Sequence, residues 1–134
     1  ECSRCTTNCF LEPLGGIVSP SRNNVDTRVF TLLNKDGSPF FATFTAEGPP
    51  CPCVSMYFRV EDVFDGCCAT LRVLVPQDVN GCTVDLLNDY GTAIDFRKVC
   101  KVTQFEASDS CITVDLDCFC AVQCIDDVHL GICD

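Results

Sequence analysis

Apolar and polar residues alternate in the segment that reads CITVDLDCFCAVQC, residues 111–124. Successive side chains of a β-strand point to opposite faces, so this period of two predicts extended structure. At about 3.3 Å per residue the run would be about 43 Å long, which favours two strands or one bent strand. One face of it would carry Ile112, Val114, Leu116, Cys118, Cys120, Val122 and Cys124.

The same alternation recurs between turn signals along the chain. Turns are predicted at Asp36-Gly37, Asp65-Gly66, Asn80-Gly81 and the segment NDYG at 88–91. Between them, strands are predicted for PFFATFT, VSMYFRVED, CCATLRVLV and FRKVCKVTQF. Short strands with regularly spaced turns are typical of all-β sandwiches and barrels. We therefore predict an all-β fold, a single-domain β-sandwich (a jelly roll being one form of it) with about eight short antiparallel strands.

The first residues have a different composition from the rest. Residues 1–27 are rich in Cys, Thr, Asn, Pro and Gly and show no periodicity. This pattern predicts a Cys-rich extended N-terminal arm over residues 1–27, followed by the β-sandwich domain over residues 28–134.

Cysteine is unusually abundant for a chain of this length. Fourteen of 134 residues are cysteine, about a tenth, which is the level expected of disulfide scaffolds. Yet a chain of this length can bury roughly two thirds of its unfolded surface and needs no covalent help to form a core. We infer that some cysteines serve a purpose other than holding one domain together. Such density also favours an oxidising final location.

Neighbouring cysteines constrain the pairing. Cys118 and Cys120 would point the same way about 6.6 Å apart, near the upper limit for a bridged pair, so we do not expect them to bond to each other. Cys67 and Cys68, as adjacent strand residues, would face opposite sides and reach different partners.

Position along the chain divides the cysteines into two classes. Those near the chain ends can reach neighbouring molecules, and the candidates for intermolecular disulfides are Cys2, Cys5, Cys9 and Cys133. Those in or beside predicted strands are candidates for intrachain disulfides or buried thiols: Cys51, Cys53, Cys67, Cys68, Cys82, Cys100, Cys111, Cys118, Cys120 and Cys124. Connectivity stays open, because fourteen cysteines allow on the order of 10⁵ pairings.

Charge and motifs argue against several classes of partner. The formal net charge is −10 and the nine basic residues are scattered, which excludes a basic surface for nucleic acid. No apolar run approaches the roughly 20 residues that span a bilayer, so we expect no membrane partner. The segment CSRCTTNC begins with the cysteine spacing of a zinc knuckle, but no second C-x-x-C follows. We predict no metal, no cofactor and no small-molecule substrate.

No catalytic site is predicted. His129 is the sole histidine and lies near an acidic chain end, where a surface role is more common than a Cys/His pair. Asp115 and Asp117 would share a strand face, where paired carboxylates could act as acid and base. A solvated strand face explains them more simply. We predict that the protein is not an enzyme.

Several blocks occur together in an order that is shared with a known family. They are CTTNC (5–9), DTRVFTLLNKDGSPFFATF (26–44), YFRVEDVFDGCCATLRVL (57–74) and CITVDLDCFCAVQC (111–124). These blocks resemble the spore-coat protein Y and Z family of Bacillus and relatives, which includes the Y-type exosporium proteins. The last block is the most specific, since it is similar to the family's C-[IL]-x-V-D-L-x-C-F-C-A-I-x-C. The cysteines that align with family cysteines are Cys5, Cys9, Cys51, Cys68, Cys100, Cys111, Cys118, Cys120 and Cys124.

The resemblance implies a structural role. Such proteins self-assemble on the spore surface, in the coat or exosporium, into layers or polymers that intermolecular disulfides stabilise. They are deposited from the mother cell without a signal peptide, and their partners are further copies of the chain and other spore-coat proteins. The alternative is a monomeric, disulfide-rich extracellular binding module with every bridge internal. The size of the protein without reductant distinguishes the two.

Overall fold

The computed structural model describes residues 25–45 and 53–132. Within them lie seven strands: β1 Thr27–Asn34, β2 Ala42–Phe44, β3 Cys53–Ser55, β4 Phe58–Phe64, β5 Cys68–Gln77, β6 Gln104–Asp115 and β7 Phe119–Val128. A single-turn helix, α1, spans Phe96–Val99, and a 3₁₀ turn spans Leu116–Cys118. The predicted all-β class is confirmed. In the described part of the chain, no helix is long and apolar enough to cross a membrane.

The strands form two antiparallel sheets. The larger has the order β6-β5-β4-β1-β7, and the smaller is the pair β2-β3, which packs against β5 and β6. Strands β6 and β7 lie at opposite edges of the larger sheet although three residues join them. The sheet must therefore curl to bring its edges together. At the centre of the sheet β4 pairs with β1 through Phe30 and Phe58.

Two hydrophobic clusters fill the interior, and the predicted strand faces account for the larger one. In β5, Ala69, Leu71 and Val73 are buried, with Val75 packed against them. From the segment PFFATFT, Phe44 is buried and Phe40 and Ala42 pack on the same cluster. The second cluster contains Val29, Met56, Tyr57, Leu74, Val84, Leu86 and Ile94. In β5 and in PFFATFT, alternate residues therefore face the larger cluster, as the predicted strands require.

The four predicted turns are confirmed. Gly37, Gly66, Gly81 and Gly91 all have positive φ, the conformation that glycine adopts without steric cost. In the turn after β1, for example, the Gly37 N–H donates to the Asn34 carbonyl at 2.9 Å. The run at 111–124 also divides as predicted, into β6 and β7.

One strand prediction is partly wrong. The segment FRKVCKVTQF, residues 96–105, begins with α1, and the strand starts only at Gln104. The cause is local, because the Asp95 side chain accepts a hydrogen bond from the Arg97 N–H at 2.9 Å and caps the helix. The segment VSMYFRVED is likewise divided into β3 and β4. There the Ser55 hydroxyl accepts from the Tyr57 N–H at 3.1 Å.

Candidate functional site

The cysteines are the candidate functional residues, and nine of them lie in the described part of the chain. The remaining five lie outside it: Cys2, Cys5, Cys9, Cys51 and Cys133. The four candidates for intermolecular bonds are all among these five, so their assignment stays a prediction.

Five of the described cysteines are exposed to solvent and carry free thiols: Cys82, Cys100, Cys111, Cys118 and Cys120. They lie on strands, in turns and at the end of the helix. Cys82 follows β5 in a turn, Cys100 ends α1, Cys111 lies on β6, Cys118 ends the 3₁₀ turn and Cys120 lies on β7. The protein therefore presents thiols from several parts of its surface.

The prediction that Cys118 and Cys120 lie on the apolar face of this run is wrong. The 3₁₀ turn interrupts the alternation, because the Asp115 carboxylate accepts from the Asp117 N–H at 2.9 Å and ends the strand there. A register shift between Leu33 and Asn34 then changes which residues at the start of β7 face the core. As a result Cys120 points outward, and its thiol donates to the Asn34 carbonyl at 3.0 Å.

Cys67 and Cys68 lie together at the β4–β5 hairpin. Phe64 pairs with Cys68, so a three-residue loop of Asp65, Gly66 and Cys67 joins the strands. Asp65 and Gly66 have φ of 56° and 69°, and this tight turn places the two sulfur atoms 3.0 Å apart. The expectation that the two residues reach different partners is wrong, since Cys67 belongs to the loop and not to a strand. The turn signal Asp65-Gly66 directly before them could have revealed this.

Hydrogen bonding and charge both act on Cys68. The hydrogen bond with Cys67 raises the pKa of the Cys68 thiol to about 11, and burial and the electrostatic effects of Cys67, Asp115 and Asp117 act in the same direction. Cys68 therefore holds its proton at neutral pH. Both side chains are half-buried, so small thiol reagents can reach them.

The last two described cysteines are less accessible. Cys124 on β7 is half-buried and disulfide-bonded. Cys53 opens β3, is half-buried and packs against the larger hydrophobic cluster.

The two ends of the described chain meet at one corner. The Asp26 carboxylate accepts hydrogen bonds from the backbone N–H groups of Leu130, Gly131 and Ile132, at 2.9 to 3.0 Å. Beside it, Asp127 is fully buried and pairs with Arg28 through two hydrogen bonds of 2.8 and 2.9 Å. The segments that carry Cys2, Cys5, Cys9 and Cys133 are thus attached to the domain at this corner.

Two of the residues considered as catalytic candidates, Asp115 and His129, have positions that the fold explains. Asp115 caps the 3₁₀ turn, and exposed His129 lies 3.7 Å from Asp26. No three histidine, cysteine or acidic side chains come together as a metal site within the ranges that the structure describes. The exposed cysteines can take part in thiol and disulfide chemistry at the surface.

Comparison with known proteins identifies the family. The sequence model of the family described as spore coat protein Z matches residues 1–127. The chain belongs to this family. Spore coat protein Z of Bacillus subtilis (strain 168) is 34% identical to it over 123 residues, which is 90% of this chain and 75% of the relative. No solved structure matches the chain. The family resemblance inferred from the four sequence blocks is confirmed.

Proposed function

We propose that this chain is a structural protein of the bacterial spore surface, whose copies assemble into an ordered layer or polymer linked by intermolecular disulfides. Membership of the spore coat protein Z family supports a structural role in the coat. In this proposal the partners are further copies of the chain and other coat proteins, and the chain catalyses no reaction. The layer in which it lies is the coat or the exosporium.

The exposed thiols are the observation that carries the proposal. One small domain exposes five free thiols along its chain: Cys82, Cys100, Cys111, Cys118 and Cys120. A subunit with several reactive groups can bond more than one neighbour, which is what a sheet or polymer requires and a monomer does not. Several bonds per subunit also make release slow, because all of them must open before a copy can leave.

The geometry of β1 and β7 separates the corner where the chain ends attach from Cys118 and Cys120 of the same chain. The ladder runs from Thr27 opposite Val128 to Asn34 opposite Phe119, a length of about 23 Å at the usual strand rise. The chain ends attach at the first of these ends, and Cys118 and Cys120 lie at the second.

A disulfide requires Cα atoms within about 7 Å. Ile132, the residue before Cys133, is held at the chain-end corner by its hydrogen bond to Asp26. We therefore propose that Cys133 bonds to a second copy and not to Cys118 or Cys120 of its own chain. The N-terminal cysteines Cys2, Cys5 and Cys9 remain candidates for bonds to a second copy because of their position near the chain end.

A denaturing gel tests the proposal directly. Purified protein is oxidised, boiled in detergent and run with and without reductant. Ladders or material retained in the well should collapse to a band near 14.6 kDa when reductant is added. A clean monomer in both lanes would contradict the proposal and would favour the binding module with internal bridges.

Two sets of variants identify the bonding cysteines. If the chain ends form the cross-links, serine at Cys2, Cys5, Cys9 and Cys133 should leave folded subunits that heat and detergent release. The matched set carries serine at the same number of exposed domain thiols: Cys82, Cys100, Cys111 and Cys118. If the first set stays cross-linked and the second is released, the domain thiols and not the chain ends hold the assembly together.

A further inference from the structure

Cys67 and Cys68 differ from every other described cysteine pair, because their sulfur atoms are in contact at 3.0 Å. We propose that they form a thiol–disulfide exchange site, in which the pair closes into a disulfide and then passes that bond to a thiol of a second chain. The identity of the receiving thiol rests on the proposed function. The closing and transfer of the bond are properties of this hairpin.

The proposal starts from the spacing of the backbone. Adjacent Cα atoms are 3.8 Å apart, whereas disulfide-bonded residues usually have Cα atoms 4.4 to 6.8 Å apart. A bond between Cys67 and Cys68 would therefore be strained, and strained disulfides are easily reduced. Such a bond is a poor structural link. It readily passes its disulfide to another thiol, because attack by that thiol relieves the strain.

The surrounding structure holds the pair in place. Asp65 and Gly66 adopt positive φ in the loop, which turns Cys67 towards Cys68. The Leu116 N–H donates to the Cys67 carbonyl at 2.8 Å, so the 3₁₀ turn fixes the backbone of the loop. The sulfur atoms are half-buried and reachable from solvent. The contact thus lies in a hairpin whose backbone is held by the 3₁₀ turn.

The oxidation needs a partner, and a low-molecular-weight disulfide, R–S–S–R, supplies it. The Cys67 thiolate attacks one sulfur of that disulfide, a Cys67–S–R bond forms and RS⁻ leaves. Cys68 loses its proton to solvent and attacks the Cys67 sulfur, so the Cys67–Cys68 bond forms and the second RS⁻ leaves. Two electrons have then passed from the pair to R–S–S–R. Because Cys68 must lose its proton before it attacks, this second step should speed up as the pH rises.

Transfer follows by the same chemistry. A thiolate of the second chain attacks one sulfur of the closed pair, and an intermolecular disulfide forms. The other cysteine of the pair leaves as a thiolate and takes a proton from solvent. The number of disulfides is unchanged, so the step needs no further oxidant.

The sequence offers a clean assay for closure. Trypsin cleaves after Arg59 and Arg72, and the peptide VEDVFDGCCATLR between these sites contains no cysteine other than this pair. The reduced full-length protein is mixed with oxidised glutathione without oxygen, quenched in acid at intervals, alkylated, digested and analysed by mass spectrometry. We expect this peptide to appear early as a form two hydrogens lighter and unalkylated, and then to decline as cross-linked species that contain it accumulate.

Serine variants separate an acting pair from two independent thiols. In Cys67→Ser and in Cys68→Ser, glutathione should stay bonded to the one cysteine that remains, because the partner thiol that would displace the glutathione is missing. Cross-linking should then slow about tenfold. The double variant should be no slower than either single variant, since the pair acts as a unit. Independent thiols would instead make the double variant slower than both. Cys82→Ser is the control and should leave the rate of closure of the peptide unchanged.

The outcomes distinguish this proposal from the proposed function. If cross-linked ladders form while the peptide stays a dithiol or retains glutathione, the exchange site is refuted and the assembly stands. A short cysteine-containing peptide, added as an alternative acceptor, tests transfer when ladders do not form. If this added peptide becomes disulfide-bonded to Cys67 or Cys68, the exchange site is supported even though the assembly is not. Closure without transfer to either acceptor would overturn the proposal.

Discussion

Replacing Asp26 by asparagine tests how the C-terminal segment is held to the domain. The Asp26 carboxylate accepts four hydrogen bonds, three from the backbone of residues 130–132 and one from the Thr27 hydroxyl. Asparagine keeps the shape, but it replaces one acceptor oxygen with an N–H₂ group that faces backbone N–H donors. We expect the variant to be less stable at neutral pH and to release residues 130–132.

The pKa of Asp26 sets the size of the effect. Burial alone would raise this pKa, but the hydrogen bonds from residues 130–132 and Thr27 outweigh it and lower it from 3.8 to about 2. A shift of this size corresponds to roughly 2 kcal/mol of folding free energy. Because 26% of the side chain is exposed, solvent screening reduces the contribution, and we expect a loss of about 1 to 2 kcal/mol.

The pH dependence follows from the direction of the shift. A carboxylate whose pKa is lower in the folded state stabilises the protein at pH values above its unfolded value near 3.8, and that contribution is lost as the pH falls towards 2. The free energies of unfolding of the wild type and of Asp26→Asn should therefore differ at pH 7 and nearly converge at pH 2.

Denaturant unfolding at both pH values measures this difference, and amide hydrogen exchange at residues 130–132 reports the release of the segment. Asp89→Asn removes the same charge from an exposed turn and should change neither quantity. A loss of equal size at pH 7 and pH 2, or unchanged exchange at residues 130–132, would refute the role given to the carboxylate.

Three further substitutions test the interior, each by denaturant unfolding with a fixed reductant concentration. Arg28→Ala should cost about 3 kcal/mol, because it leaves the fully buried Asp127 carboxylate without its charged partner; a loss below 1 kcal/mol would contradict this. Leu71→Ala should cost about 2 to 5 kcal/mol, since the side chain is buried in the larger cluster and its removal leaves a cavity. Ser55→Ala should cost about 1 to 3 kcal/mol by removing a buried donor to the Leu74 carbonyl, and a neutral result would refute the importance of that bond.

Much of the fold was predictable because the signals are local. A turn that needs a residue with positive φ depends only on the few residues that form it, so Asn80-Gly81 and similar pairs located the turns correctly. Alternation within one strand likewise identified the buried face of β5. The order of the strands was not predictable in this way. It depends on which distant strands pair, and nothing near β6 or β7 indicates that they form opposite edges of one curled sheet.

The candidate site was less predictable than the fold. The cysteines could be recognised as the functional residues from their number, but their exposure depends on the phase of the alternation. A single capping contact at Asp115 ends one strand, and a register shift turns Cys120 outward. The contact between Cys67 and Cys68 likewise depends on the length of one loop. Interruptions of one to three residues therefore determine where each thiol points.

The separation between the core and the thiols explains why the chain can carry so many cysteines. Both hydrophobic clusters are built from aliphatic and aromatic side chains, and the five exposed thiols belong to neither. Changing an exposed cysteine to serine should therefore leave the free energy of unfolding of the domain within about 0.5 kcal/mol of the wild type, as for other surface substitutions. Folding and cross-linking then depend on different residues. A subunit built in this way can fold first with its thiols reduced and form bonds to its neighbours afterwards, without those bonds being needed to create the surface on which they lie.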